Sequence, residues 1–463
     1  MSLAFQATAL SPLDGRYADK LVPLRECFGE LALVRERCRV EIAHVLALEA
    51  TGLFGTLNAE ELARVHGLLA DFDLEAFARV KAIEAETRHD VKAVEYFLRE
   101  RLGLANPNRI HFGLTSEDVN NLAHTSCVSR YRETVLQPVL GALVESLAQT
   151  AIEHAATVFP AHTHGQPASP TTYGKELTVL ALRLQRLHAA LGTLRFRGKL
   201  NGATGNASAF LAAAPAVDWR AYEARLVGEL GFDVNPATTQ IEDGDAWARF
   251  FDLLRGACNV VVDLCRDQWT YVSMGLLVQR TRAGEVGSST MPHKVNPIRF
   301  ENAEGNAELA VALLGFLSDK LTRSRMQRDL TGSTVARNIG VAAGHVHLAL
   351  TELQAGVAGV DVDVTRCRSL VESAPELLAE PIQSILRLVS AGDPYDDVKR
   401  LVRGRRVSAA DIAAFADSLD VDPEVRARIQ ALRAVDYVGD AERVAQTVGT
   451  GILEALRDRG ATS

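Results

Sequence analysis

Proline is missing from three long stretches of this chain: between Pro170 and Pro215, between Pro236 and Pro292, and between Pro297 and Pro375. Each gap admits an uninterrupted helix, because proline removes a helical N–H and clashes with the preceding turn. Cysteine is scarce. Cys27, Cys38, Cys127, Cys258, Cys265 and Cys367 are scattered with no CxxC pair, which excludes a disulfide framework and suggests reduced thiols in a cytosolic protein. The first twenty residues lack the basic start and apolar run of a secretory signal. No stretch of about 18 uncharged apolar residues stands out, so no transmembrane helix and no membrane partner is expected. Phosphate loop, dinucleotide fingerprint and HExxH are all absent, and so is any repeat of fixed period. The net charge of −8 and pI near 5.9 argue against a general nucleic-acid binder.

What is present is helical patterning in a soluble globular composition, 47% hydrophobic and 23% charged. Leu177, Leu180, Leu184, Leu187 and Leu191 recur at steps of three and four, a bundle-type seam. Trp247, Phe250, Phe251, Leu254, Ala257, Val261 and Leu264 repeat similarly, and predict a helix over about 245–277, roughly 50 Å long. Two more helical stretches follow Pro297. Alternating strand patterns are few. The expectation is an all-α chain of three parts: an N-terminal helical segment 1–110, a central bundle of long helices 111–365, and a C-terminal helical segment 366–463.

Chemistry concentrates in five polar breaks. In "THGQPASPTTYGKE", His164 lies in a Gly/Pro-rich turn. Thr171 or Thr172 suits a helix cap there, while a histidine titrating near neutrality suits proton donation. "GSSTMPHKVNP" places Ser288, Ser289 and Thr290 near His293, Lys294 and Asn296, an ammonium and an amide fit for a carboxylate or for developing negative charge. In "TRHDVKAVEYFL", Asp90 suits a helix cap and His89 a cap partner. In "HFGLTSEDVNN", Thr115 and Asp118 sit at capping-box spacing, and Thr115 and Ser116 equally offer hydroxyls to a carboxylate. "SRMQRDLTGSTVARN" gathers Arg325, Arg328 and Arg337 with Ser333 and Thr334, a pattern that fits an anion or phosphate. His162 and His164, like His345 and His347, are two apart, a spacing that points side chains away from each other on a helix. No metal and no organic cofactor is inferred.

"GSSTMPHKVNP" resembles the signature of the fumarase/aspartase superfamily, all-α lyases that release fumarate. "TSEDVNN" and "THGQPASP" occur in that family's order. Within it, "THGQPA" with "MPHKVNP", "SPLDGRY", "RHDVKAVEYFL", "TTQIE" and "QRDLTGSTVARN" are similar to the bacterial adenylosuccinate lyase family. Arg88 departs from the polar uncharged residue that family leads one to expect.

The resemblance implies β-elimination of fumarate from adenylosuccinate, giving AMP, and from the succinylated aminoimidazole carboxamide ribotide, giving its free carboxamide. His164 is then the general acid. Ser288 is the base, with Ser289 as its alternative. Lys294 and Asn296 stabilise the carbanion, and His89 supports the site. Thr115, Ser116 and Gln240 hold the succinyl part. Arg16, Tyr17, Arg328, Ser333 and Arg337 hold the nucleotide and its phosphate, with Arg88, Asp90, Asn302 and Thr334 as further substrate contacts. The resemblance also implies a homotetramer with active sites shared between subunits, its leucine seams serving as subunit contacts. The competing readings are another fumarate-releasing lyase, for argininosuccinate or malate, and an inactive helical scaffold.

Overall fold

A computed structural model describes residues 3–281, 291, 293–390, 392–404 and 407–462, with side chains through 458. The chain divides into two compact units. One comprises Met1–Val139, Leu187–Asn259 and Gly305–Ala349; the other comprises Leu140–Arg186, Val260–Glu304 and Leu350–Ser463.

The long helices form where proline is missing: Tyr173–Thr193, Asp245–Ser273, Ile298–Leu321 and Ile339–Val357. The helix expected over 245–277 ends a turn early. Gly275 takes the left-handed conformation (φ 70°), its N–H bonding the Val272 carbonyl and that of Leu276 the Tyr271 carbonyl. This closes the helix as a glycine C-cap does. Leu277–Gln279 then pairs antiparallel with Val360–Val362. The apolar repeat of this helix is buried at Phe250, Phe251, Leu254, Ala257, Val261 and Leu264.

The leucine seam corrects an expectation. Leu177, Leu180, Leu184 and Leu191 are buried within the chain itself, so they are not free for subunit contacts. Periodicity reports an apolar face but not what covers it. The exposed apolar side chains on the long helices are instead Val179, Trp269, Ile298, Leu309 and Phe316.

The helical run Ser116–Glu153 holds an 18-residue window of mean hydropathy 1.3, so by length and composition alone it could cross a membrane. Glu145 and other polar residues within the run keep it from being the uninterrupted apolar stretch of a typical span. Leu122, Val128, Leu140, Leu143, Val144 and Leu147 on it are buried inside the chain.

Separate cores fill the N-terminal and C-terminal regions. In the first unit, Val34, Cys38, Ile42 and Val45 of the Glu30–Ala47 helix pack with Val80, Ile83, Val94, Phe97 and Leu98. In the second, Val371, Ile382, Ile385, Val398, Leu401 and Ile412 cluster with Ile429. Burying each large apolar side chain contributes about 1.5–3 kcal/mol relative to exposure.

The segment around His164 is an antiparallel hairpin, Val158–Thr163 with Gln166–Thr172, in register Thr163↔Gln166. The sequence reading had only a turn here. Pro160, Pro167 and Pro170 mask the strands, yet a two-stranded ribbon is all edge and tolerates proline. Its loop is His164 (φ 53°) and Gly165 (φ 73°), the pair of positive φ values of a two-residue hairpin turn. His162 lies on the strand, so the helical argument about its spacing from His164 does not apply. Thr172 does cap the following helix, its hydroxyl accepting the Lys175 N–H at 3.2 Å.

Candidate active site

Three of the five polar breaks meet in the first unit, around a cavity of about 310 Å³. The first contributes Arg88, His89 and Asp90. Arg88 terminates the Leu74–Thr87 helix in the left-handed region (φ 53°), its N–H bonding the Glu84 carbonyl at 2.7 Å. Backbone in that conformation is costly for a residue with a Cβ and persists where its surroundings hold it. His89 caps the next helix, Asp90–Leu102: its Nδ1 accepts the Lys92 N–H at 3.1 Å. That bond assigns the neutral ring's proton to Nε2, leaving a donor. Asp90, read as the cap, is instead the first helical residue.

The Asp90 carboxylate receives Arg37 at 2.8 Å and Arg337 at 3.2 Å. Burial opposes its ionisation, but Arg37, the Val91 N–H and Arg337 outweigh that and hold its pKa below the ordinary value.

The second contribution is the start of the Ser116–Tyr131 helix. The capping box forms, with Asp118 accepting the Thr115 N–H at 2.8 Å. Ser116, Glu117, Asn120 and His124 all line the cavity. The third is the segment 321–337, with Arg328, Ser333 and Arg337. Arg328 pairs with Glu117 at 2.8 Å and donates to Gln240 at 3.1 Å and Ser333 at 3.3 Å. Arg37 closes the ring by donating to Asn120 at 2.9 Å, and Asn120 donates to Glu117 at 3.1 Å. The cavity therefore presents guanidiniums, amides and hydroxyls already held by neighbours, a surface suited to a polyanion.

Of the residues singled out from the sequence, Arg88, His89, Asp90, Ser116, Arg328, Ser333 and Arg337 line this cavity. Gln240 is bonded to Arg328, which does, while Thr115 is bonded to Asp118 and directly precedes the lining residue Ser116. Arg16, Tyr17 and Thr334 do not line it. His164, Lys294, Asn296 and Asn302 belong to the second unit. There His164 is exposed at the hairpin tip, Lys294 is exposed, and both asparagines are half-buried. Ser288 and Ser289 lie outside the described residues.

Sequence reasoning missed Arg37, Glu117, Asn120, His124 and Trp247. A signal existed for two of them. Asn120 and His124 follow Ser116 at steps of four, hence on its face of the helix. Arg37 sits mid-helix in Glu30–Ala47 and carries no local cue.

His124 packs edge-on against Trp247 (centroids 6.2 Å apart), and its pKa is pushed down to about 3, first by burial and then by Arg37 and Arg337. His44, also lowered to about 3 by burial, donates from Nε2 to the Phe112 carbonyl and accepts the Tyr222 hydroxyl at Nδ1. Both rings are neutral in the fold but charge on unfolding below the ordinary histidine pKa. The unfolded state therefore binds more protons between pH 6.5 and 3, and stability falls with pH across that window. The expected acid limb from the two rings is about 2.7 kcal/mol per pH unit. His111 has the opposite sign. Burial opposes its charge, but its bond to Glu41 (2.5 Å) wins and raises its pKa, so its contribution is complete below 6.5 and is lost as pH rises. Denaturant melts of wild type and His124→Gln from pH 7 to 4 check this. The variant's acid limb is shallower by about 1.4 kcal/mol per pH unit, one ring's share, and an unchanged limb contradicts the assignment.

Comparison with known proteins decides the family. Residues 15–311 match the family model described as lyase, and residues 324–438 that described as adenylosuccinate lyase C-terminal. The adenylosuccinate lyase of Haemophilus influenzae is 42% identical, covering 94% of this chain and 97% of its own. That of Escherichia coli is 41% identical with the same coverage. The chain belongs to the adenylosuccinate lyase family. It is a lyase with the family's all-α fold. The fold is shared with the 3-carboxy-cis,cis-muconate lactonizing enzyme of Pseudomonas putida (TM-score 0.75, 20% identity, 98% of this chain and 100% of that one). It is also shared with a fumarate lyase from Mesorhizobium sp. BNC1 (TM-score 0.77, 18% identity, 94% and 98%).

Proposed function

We propose that the chain releases fumarate from adenylosuccinate, giving AMP, and from the succinylated aminoimidazole carboxamide ribotide, giving the free carboxamide. The observation that carries this is the single cavity joining Arg88–Asp90, Ser116 and Arg328–Arg337 in a chain of this family. A nucleotide phosphate and two carboxylates need that density of fixed donors.

The proton to be removed lies beside a carboxylate, and its loss puts a second negative charge on that group. Lys294 and Asn296 answer that charge. Ser288 takes the proton, with Ser289 as its alternative, and His164 protonates the leaving nitrogen. His89, fixed as an Nε2–H donor, orients the substrate. Thr115, Ser116 and Gln240 hold the succinyl part, and Arg16, Tyr17, Arg328, Ser333 and Arg337 the nucleotide. Arg88, Asp90, Asn302 and Thr334 contact the substrate as well.

The working state in this reading is a homotetramer whose sites draw on three chains. Of the segments 1–110, 111–365 and 366–463, the first two supply the site residues named above. Exposed Leu309 and Phe316, seven apart on one helix, suit a subunit contact. Six free, buried cysteines suit the reducing cytoplasm.

The test is fumarate absorbance after adding adenylosuccinate, the ribotide, argininosuccinate or malate in separate reactions. The first two release fumarate and the last two do not. Fumarate from argininosuccinate or malate alone would assign the chain to a different substrate.

A further inference from the structure

We propose that Asp118 and Lys199 are positioning residues: a buried ion pair that sets the substrate-holding groups Thr115 and Gln240 in place before substrate arrives. The proposal rests on the lyase reading above, because it concerns how the succinyl part is held.

Both side chains are fully buried, with Lys199 Nζ 2.8 Å from Asp118 Oδ1. Removing two ions from water is costly, and replacing such a pair by apolar groups is often neutral or stabilising. A role beyond stability is therefore the economical account of a pair this deep. Its hydrogen bonds say what that role is. Asp118 Oδ2 accepts the Thr115 N–H at 2.8 Å, at the start of the Ser116–Tyr131 helix. The same carboxylate accepts the N–H groups of Asn201 at 3.0 Å and Gly202 at 3.1 Å. Lys199 Nζ also donates to the Gly202 carbonyl at 3.0 Å. The Lys199 backbone is clamped to the same helix: Asn121 accepts its N–H and donates to its carbonyl, each at 3.0 Å. One carboxylate thus fixes the helix start and the 201–202 turn relative to each other.

That turn reaches the cavity. Asn201 Nδ2 donates to Thr238 Oγ1 at 3.0 Å. Gly205 (φ 78°) approaches the 238–239 backbone so closely that a Cβ would lie 2.1 Å from the Thr238 carbonyl oxygen. The adjacent Ala203 carbonyl accepts Gln240 Nε2 at 2.8 Å, and Gln240 Oε1 accepts Arg328 at 3.1 Å. Gln240 is therefore oriented at both ends, and its second N–H remains for a carboxylate. Asp118 sets the Ala203 carbonyl, and that carbonyl sets Gln240. Arg328 keeps its own bonds to Glu117 and Ser333 whether or not the turn is held.

The charge-free pair, Asp118→Asn with Lys199→Met in one chain, tests this, because neither partner is left as an uncompensated buried ion. With kcat within about threefold, KM for adenylosuccinate rises ~10-fold and product inhibition by fumarate weakens ~10-fold, while inhibition by AMP stays within about twofold. Equal weakening of both products, or a fall in kcat at unchanged KM, overturns the proposal and leaves the pair purely structural. A wild type that releases no fumarate refutes the lyase reading instead. Amide hydrogen exchange on the substrate-free wild type tests whether the anchor is preformed, even if the double variant fails to fold. The Thr115, Asn201 and Gly202 amides exchange as slowly as core helix amides; if they exchange freely until substrate is added, there is no preformed anchor.

Discussion

Replacing His164 with asparagine lowers turnover of adenylosuccinate at least ~100-fold and leaves the melting temperature within about 1–2 °C of wild type. The large kinetic effect follows from the proposed role: the leaving nitrogen departs poorly unless protonated, and asparagine cannot donate a proton as an acid. The small effect on stability follows from the geometry. His164 is exposed at the tip of a hairpin, and its imidazole makes no hydrogen bond among the described residues. Its φ of 53° lies in the left-handed region, which asparagine adopts more readily than most residues. The turn therefore survives while the proton donor is lost. Fumarate release and a thermal melt on one preparation check both halves. Turnover near wild type removes His164 from the mechanism.

Lys294→Ala is expected to cost ~10²–10³-fold in kcat, the scale seen when one preorganised partner of a developing oxyanion is removed. Lys294 is exposed, and its side chain makes no hydrogen bond or ion pair among the described residues. Its ammonium is not spent on holding the fold. In the proposed role the charge it answers doubles in the transition state, so the loss falls on kcat more than on KM. Steady-state kinetics of the purified variant show the split. A rise in KM at unchanged kcat would make Lys294 a binding group only.

The local grammar of the chain was readable. The Thr115–Asp118 capping box, the Thr172 cap and the helix beginning at Asp245 all formed where short-range patterns put them, because the interacting groups lie within a turn of each other. Contacts between distant segments were not readable. Arg37 meets Asn120 across 83 residues, and nothing near Arg37 announces it. The hairpin carrying His164 was hidden by prolines that a ribbon edge tolerates. The leucine seam was read as a subunit contact because its period does not say which neighbour covers it. The basic and hydroxyl cluster at 325–337 was legible as an anion site, but its partner Glu117 was not. That glutamate carries no cue of its own in the sequence; only the fold brings it to Arg328.

Mixing two inactive variants tests the shared-site account most directly. His164→Asn and Lys294→Ala, each pure and each nearly inactive, are dissociated together and allowed to reassemble. If a site takes residue 164 from one chain and residue 294 from another, random tetramers recover about a quarter of wild-type fumarate release, since a site then has one chance in two for each residue to be intact. If both residues of a site come from one chain, every site keeps a defect and the mixture stays as inactive as its components.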